Sequence, residues 1–184
     1  MTVVPDSVFD PQIEAEIAAA RQAARVGRGG DPGQRRAPFP SPVDWRDHWI
    51  YFLMIDRFNN TAQPPNSGLQ GWNRRFGRHQ GGNFNGIRSQ LGYLKSLGVG
   101  AIWITPVVKN PAADWEYNYH GYAAQDLLAI DPRLGSDGTR ETAERELREL
   151  VDAAHDQGIY VILDIVLNHT ARVFDYWING ELRA

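Results

Sequence analysis

The sequence contains no cysteine, which excludes disulfide bridges and thiolate metal sites. No apolar run approaches the ~20 residues that a membrane-spanning helix needs. The N-terminal residues show no basic stretch followed by an apolar one, so no secretory signal is visible and a cytoplasmic location is expected. A formal net charge of −3 gives no electrostatic support for a nucleic-acid or membrane partner. The 184 residues, 42% of them hydrophobic and 22% charged, have the composition of a globular domain.

Residues 1–44 differ in composition from the rest of the chain. An Ala-rich stretch over residues 11–26 predicts a short helix of modest amphipathicity. Residues 27–44 are rich in Gly, Pro and Arg, which is typical of a linker that forms no packed core. We therefore interpret residues 1–44 as an N-terminal extension and linker, and residues 45–184 as the folded part.

Apolar runs alternate with helical periodicities in the folded part. The predicted strands are Trp49–Ile55, Ala101–Thr105 and Ile159–Leu163; the predicted helices are 85–97, ended by Gly98, and 140–157, capped by Thr139 and ended by Gly158. This order predicts two successive βαβ units and a parallel sheet in an α/β fold. Both a barrel and a doubly wound sheet agree with it. No glycine-rich phosphate loop follows the first strand, which argues against a dinucleotide-binding fold.

The third predicted strand carries the densest group of polar residues. Five apolar residues run directly into Asp164, and Asn168 and His169 follow. The continuous apolar run predicts a strand buried on both faces. Because an unpaired buried carboxylate is costly, Asp164 is expected at the rim of the sheet. The carboxyl ends of parallel strands are where α/β folds build their active sites, so these three residues are site candidates.

Four motifs together carry a family resemblance. They are Asp56-Arg57-Phe58, Gly81-Gly82-x-x-x-Gly86-Ile87, Tyr119-His120-Gly121-Tyr122-x-x-x-Asp126 with Ile130-Asp131-Pro132 and Gly135, and Asp164-Ile-Val-x-Asn168-His169. In this order and spacing the chain resembles glycoside hydrolase family 13, the alpha-amylase family, over about residues 46–172. The resemblance implies a (β/α)₈ TIM barrel, with about the first three β/α units in residues 45–184 as the N-terminal portion of the catalytic barrel.

The resemblance also implies roles for single residues. The residues matching Asp164 and His169 hydrogen-bond the sugar in the subsite where cleavage occurs, the one matching Tyr122 stacks on the sugar ring, and the one matching His120 contacts it. These residue types suit a pyranose, which presents hydroxyls at its edge and C–H groups on its face. Asn168 would bind a structural calcium ion, whose preferred ligands are oxygens.

Further expectations follow from the same resemblance. Asn59-Asn60 resembles an additional calcium loop of some relatives, though without the aspartate usual there, so Asn60 is a second calcium candidate. No organic cofactor is expected. Asp56 and Arg57 are interpreted as an ion-paired structural link at the barrel rim. The tryptophans at positions 45, 49 and 103 are assigned to packing. The expected partner is an α-linked glucan oligo- or polysaccharide.

The family mechanism is a retaining double displacement through a covalent glycosyl-enzyme intermediate. Its nucleophilic aspartate follows the fourth strand, its acid/base glutamate the fifth and a helper aspartate the seventh, so we expect no catalytic residue within residues 1–184 and no hydrolysis by this stretch alone. Hydrolysis and transglycosylation both stay open. The alternatives are an inactive amylase-like binding or scaffold protein, a truncated remnant, or an α/β protein unrelated to sugars.

Overall fold

The computed structural model describes residues 15, 18, 39–62, 77–112, 117–171 and 176–183. The chain divides into two compact units, residues 1–41 and residues 42–184. In the first unit Ala15 and Ala18 are helical and exposed. The rest of the predicted 11–26 helix and residues 27–38 of the predicted linker lie outside the described residues, so the boundary at residue 44 stays a prediction. Among the described residues, no helix is long and apolar enough to cross a membrane.

The second unit contains seven described strands and four described α-helices. In chain order they are β1 (Trp49–Leu53), α1 (Ile55–Phe58), α2 (Phe84–Ser89), α3 (Leu91–Ser96), β2 (Val99–Ile104), β3 (Val108–Lys109), β4 (Asp126–Ile130), α4 (Arg140–Asp156), β5 (Tyr160–Leu163), β6 (Tyr176–Ile178) and β7 (Glu181–Arg183). Short 3-10 helices lie at Trp45–Asp47 and Pro132–Leu134.

The central sheet has three parallel strands in the order β1-β2-β5. β1 pairs with β2 and β2 pairs with β5, each in parallel. In this register Phe52 lies opposite Trp103, and Trp103 lies opposite Ile162. The two βαβ units and the α/β class predicted from the sequence are therefore confirmed.

The helices cover one face of this sheet. Because side chains alternate along a strand, Ile102 and Ile104 point to the same face, and both are fully buried. Apolar residues of the helices complete this core, namely Phe84, Ile87, Leu91, Leu94, Ala143, Leu150 and Ala154. Phe52 and Trp103 point to the opposite face and keep 48% and 41% of their surface exposed. The sheet is therefore packed against helices on one face, and Phe52 and Trp103 lie on the other.

The long helix α4 forms as its local signals predict. The Thr139 side chain accepts a hydrogen bond from the Thr142 backbone N–H at 3.3 Å, which is the geometry of an N-cap. Gly158 follows the helix with a φ of +69°, a left-handed conformation that favours glycine. The predicted helix ends one residue too late, at Gln157 instead of Asp156.

One acidic residue of α4 is buried, which the periodicity did not predict. Glu146 is 1% exposed. Its carboxylate accepts hydrogen bonds from the Asn85 side-chain amide at 2.8 Å and from the Ser136 backbone N–H at 3.0 Å, and the Ser136 hydroxyl also donates to it. These contacts satisfy a buried carboxylate and connect α4 to α2 and to the loop that precedes α4.

The helix predicted over residues 85–97 is wrong as a single element, because it breaks at Gln90 into α2 and α3. In a continuous helix the Gln90 N–H would donate to the Gly86 carbonyl. That carbonyl instead accepts from the Ser89 hydroxyl at 2.8 Å and from the Asn59 amide at 3.4 Å. Gln90 donates to the Ile87 carbonyl at 2.9 Å, which tightens the turn. At the break, the Ser89 hydroxyl and the side chain of Asn59, which lies 27 residues before Gly86, thus take the place of the helical hydrogen bond.

Three strand predictions need correction. β1 ends at Leu53, and Ile55 already belongs to α1. β2 runs over residues 99–104 instead of 101–105. β5 is not buried on both faces, since its residues are half-buried and Leu163 is 42% exposed. Among the described strands β5 pairs with β2 alone, so its other side lacks the neighbour that full burial requires.

Two antiparallel pairs lie outside the elements predicted from the sequence. β3 pairs with β4 and β6 pairs with β7. The second pair turns at Asn179 and Gly180, both with positive φ (51° and 80°). An Asn-Gly turn of this kind is the common two-residue hairpin connection, so the signal for β6 and β7 was present in the sequence.

Candidate functional site

The candidate site lies at the carboxyl ends of β2 and β5. Asp164 follows β5 directly, and its backbone N–H donates to the Ile104 carbonyl at 3.2 Å, which continues the pairing with β2 by one more residue. Its side chain is half-buried at the rim. A loop over residues 117–125 brings Tyr122 and His120 to the same rim.

Two side chains donate to the same oxygen of Asp164. The Tyr122 hydroxyl donates to Asp164 Oδ2 at 2.8 Å, and Trp103 Nε1 donates to it at 3.3 Å. Among the described residues no donor reaches Oδ1. The sequence assigned Trp103 to packing, and this assignment is incomplete, because its ring packs on Phe52 while its N–H faces the carboxylate. Within the described residues, Asp164 is therefore held through Oδ2 alone.

Two histidines hold the backbone of Tyr122. The Tyr122 N–H donates to His120 Nδ1 at 3.0 Å, so the proton of the neutral His120 ring is on Nε2. His169 Nε2 lies 3.2 Å from the Tyr122 carbonyl oxygen, and because a carbonyl only accepts, His169 donates from this nitrogen. The rings of His120 and Tyr122 stack with centroids 5.8 Å apart and planes inclined by 28°. The structure thus brings together the four predicted sugar-contacting residues in one cluster.

The protonation of two residues is shifted by their surroundings. Burial, together with the hydrogen bond to Asp164 and its charge, raises the pKa of Tyr122 to about 12. Burial lowers the pKa of His120 below its ordinary value. Near neutral pH, Tyr122 is consequently a hydroxyl donor and His120 a neutral acceptor, as their hydrogen bonds require.

The loop that carries Tyr122 is anchored by Asn110, which sequence reasoning missed. Asn110 is buried, and its amide donates to the carbonyls of Val108 and Gly121 at 2.9 and 3.1 Å. Its side-chain oxygen accepts from the Ala123 N–H at 3.0 Å. Gly121 itself passes so close to Pro106 that a Cβ would lie 2.4 Å from the Pro106 carbonyl oxygen, and its φ is +82°. Asn110 shows no local pattern in the sequence that indicates this role.

A second anchor lies at Asp56, as the sequence predicted. Asp56 is 1% exposed and accepts from the backbone N–H groups of Gln80 and Gly81 at 2.9 and 2.8 Å. Arg57 Nη1 lies 3.4 Å from the same carboxylate, which is the predicted ion pair. The Arg57 guanidinium also lies 4.0 Å from the centroid of the Tyr119 ring. Asp56 and Arg57 thus connect β1 to the loop that carries His120 and Tyr122.

The calcium candidates are not brought together. Asn168 is exposed and makes no hydrogen bond to the described residues. Asn60 uses both ends of its amide to close a loop, since Nδ2 donates to the Gly81 carbonyl at 2.6 Å and Oδ1 accepts from Ala62 at 2.9 Å. No group of three acidic or histidine side chains that could hold a metal occurs within the described ranges. Since calcium takes six to eight oxygen ligands, these residues alone do not fit a calcium site, and both assignments stay predictions.

Known proteins are similar to this chain over nearly the same residues that carry the four motifs. The family model for the alpha-amylase catalytic domain matches residues 52–182. The Beta/alpha-amylase of Paenibacillus polymyxa is 41% identical over an alignment of 143 residues, which covers 76% of this chain and 11% of that protein. The chain therefore spans a small part of this relative.

Solved structures give the same result. The alpha-amylase of Geobacillus thermoleovorans, solved in complex with acarbose, matches with a TM-score of 0.54 and 35% identity, covering 69% of this chain and 24% of that one. An alpha-amylase from Malbranchea cinnamomea matches with a TM-score of 0.58 and 34% identity, covering 68% and 25%.

Proposed function

The chain belongs to the alpha-amylase catalytic-domain family, and from this premise we propose that it forms the N-terminal part of a (β/α)₈ barrel acting on α-linked glucans by a retaining mechanism. The observation that carries the proposal is the convergence of Tyr122 and His169 with Asp164 at the carboxyl ends of β2 and β5. Active sites of barrels lie at this end of the strands.

The described side chains provide what a glucose ring requires. Asp164 Oδ1 accepts from one sugar hydroxyl. His169 donates from Nε2, so Nδ1 of its neutral ring is an acceptor for a second sugar hydroxyl. The rings of Tyr122 and His120 form an aromatic surface for the C–H face of the pyranose. In this proposal residues 1–184 orient the substrate, and the nucleophile and acid/base of the retaining mechanism are not among them.

The test uses the intact protein from its native source, called the native chain, and not a fragment limited to residues 1–184. Reducing-end release from maltoheptaose is measured for the wild type, Asp164→Ala and His169→Ala. Both changes are expected to lower kcat/KM about a hundredfold, the scale of losing one group that stabilises the transition state. Asp44→Ala is the control, since Asp44 precedes β1 and lies at the amino end of the sheet. It is expected to leave the rate unchanged.

Two other outcomes would favour the rival functions. Maltoheptaose binding by the native chain without release of reducing ends or transfer products would indicate an amylase-like binding or scaffold protein. Unchanged binding and turnover in both site variants would remove Asp164 and His169 from the sugar site, and the proposal would then be wrong.

A further inference from the structure

We infer that Trp103 is a positioning residue: together with Tyr122 it holds Asp164 by one oxygen, so that the other oxygen is presented to the sugar. The inference rests on the function proposed above. Its direct basis is the contact between Trp103 Nε1 and Asp164 Oδ2 at 3.3 Å, which joins the end of β2 to the end of β5.

The sheet register aims the indole at Asp164. Trp103 lies opposite Ile162 of β5, and Asp164 follows two residues later, on the same face of the extended backbone. On the other side, the Phe52 ring meets the indole edge-to-face, with centroids 5.2 Å apart and planes at 74°. Phe52 thus supports the ring from β1 while the N–H reaches towards β5.

Packing alone does not account for a tryptophan at this position. The ring packs on Phe52, and this contact does not use the indole N–H. Phenylalanine offers a similar ring but no donor, whereas the indole of tryptophan has one N–H. With Tyr122 O–H and Trp103 N–H both on Oδ2, rotation of the carboxylate would break two hydrogen bonds. Oδ1, which no described residue contacts, is therefore held in one direction, as a substrate-orienting group requires.

The first measurement removes the N–H and keeps the ring. In the native chain, Trp103 is replaced by benzothienylalanine, which has sulfur in place of the indole N–H. We expect kcat/KM on maltoheptaose to fall about tenfold, the size of one hydrogen bond to a carboxylate. Most of the loss should be in kcat, since contacts to sugar hydroxyls strengthen in the transition state. Trp103→Phe should lose at least as much.

A matched control is available on the neighbouring strand. Trp49 of β1 is 52% exposed, its ring contacts Tyr51, and its indole N–H has no hydrogen-bond partner among the described residues. The same replacement at Trp49 is expected to leave kcat and KM unchanged. A packing role for Trp103 predicts that its isosteric variant also keeps wild-type kinetics, and that result would overturn the inference.

The second measurement does not depend on activity. The native chain is labelled with ¹⁵N at the indole nitrogens, and the Trp103 signal is assigned through Trp103→Phe. The hydrogen bond predicts slow exchange of this N–H with water, and faster exchange together with a shifted signal in Asp164→Ala. If the exchange rate and position of the Trp103 signal are the same in Asp164→Ala as in the wild type, the inference is overturned even when the enzyme is active. If the Trp103 signal shifts in Asp164→Ala but the native chain shows no turnover of maltoheptaose, the hydrogen bond is present and the proposed function is wrong.

Discussion

The Tyr122 hydroxyl donates a hydrogen bond to Asp164 Oδ2 at 2.8 Å, which joins two residues that lie 42 positions apart in the sequence. Tyr122 belongs to the loop after β3, and Asp164 to the end of β5. Each depends on a different anchor, Asn110 for the loop and the pairing with Ile104 for the strand end. The site is therefore the meeting point of two separately held segments.

Tyr122→Phe removes the hydroxyl and keeps the ring. We expect it to lower the free energy of unfolding by about 1 kcal/mol, the net value of one such hydrogen bond, and to weaken glucan binding. Urea unfolding and maltoheptaose titration of the native chain measure the two effects. Tyr93→Phe is the control, because Tyr93 is exposed and its hydroxyl makes no hydrogen bond to the described residues. Equal stabilities of the two variants would contradict the prediction.

The raised pKa of Tyr122 predicts a loss of stability at high pH. In the unfolded chain the phenol titrates near 10, and in the folded chain at about 12. The stabilisation from the neutral hydroxyl is complete below the unfolded pKa and is lost as the pH rises towards the folded one. Absorbance of tyrosinate near 295 nm should show one late-titrating tyrosine that is missing in Tyr122→Phe. If the late-titrating tyrosine is still present in the titration curve of Tyr122→Phe, the prediction is wrong.

The lowered pKa of His120 predicts a second change, on the acidic side. Neutral His120 accepts the Tyr122 N–H, so protonation removes an acceptor. Its contribution to stability is present above the ordinary histidine pKa and is lost as the pH falls through the lower folded value. Proton NMR of the histidine ring signals follows this directly. The His120 signal should titrate below that of a histidine in a model peptide, and a midpoint at or above the peptide value would contradict it.

Gly86 and Gly92 lie in adjacent helices, and only Gly86 is in close contact with the backbone of another segment. At Gly86 in α2, a Cβ would lie 1.8 Å from the Asn59 carbonyl oxygen, so Gly86→Ala must displace the backbone and should cost several kcal/mol, on the order of an overpacked core site. At Gly92 in α3, a Cβ meets no atom within 4 Å. Gly92→Ala should stabilise by about 0.5–1 kcal/mol through helix propensity. Thermal melting of both variants measures the difference, and a shift of the same sign in both would be against this account.

Buried and exposed aspartates should differ strongly in their effect on stability. Asp56→Asn replaces a buried acceptor of two backbone N–H groups and an ion-pair partner of Arg57, and should cost about 3 kcal/mol. Asp44→Asn weakens an exposed pair with Arg46 that solvent screens, and should leave the stability nearly unchanged. Chemical denaturation at pH 7 compares them. Losses of equal size would show that Asp56 is not the anchor described here.

Local signals predicted the parts of the fold that depend on neighbours in the sequence. The start and end of α4 follow from Thr139 and Gly158, which act within one turn of the helix. The site residues were predicted from the motifs, and the parallel sheet was predicted from the order of apolar runs and helices. Two of the differences involve contacts between residues that lie far apart in the chain. Asn59 helps to break the first helix, and Trp103 meets Asp164 across 61 positions.

Burial of polar groups was the least predictable property. A glutamate in a helix such as α4 is expected to be exposed to solvent. Glu146 is buried instead, because Asn85 and Ser136 donate hydrogen bonds to its carboxylate. Asn110 likewise has an ordinary sequence context. Both residues are explained by partners that only the assembled fold provides. The missed β6–β7 hairpin is different, because Asn179-Gly180 indicated it and no tertiary contact was needed to see it.

The parallel order β1-β2-β5 also determines when the sheet can form during synthesis. Trp49 at the start of β1 pairs with Val99, fifty positions later. At about 5–20 residues per second, a ribosome needs several seconds to deliver the partner of β1 after β1 itself. Closing a loop of that length costs entropy before any strand contact repays it. During this interval the nascent apolar strand Trp49-Ile-Tyr-Phe-Leu is without its sheet neighbour, and its unpaired backbone and apolar side chains are open to association with other chains.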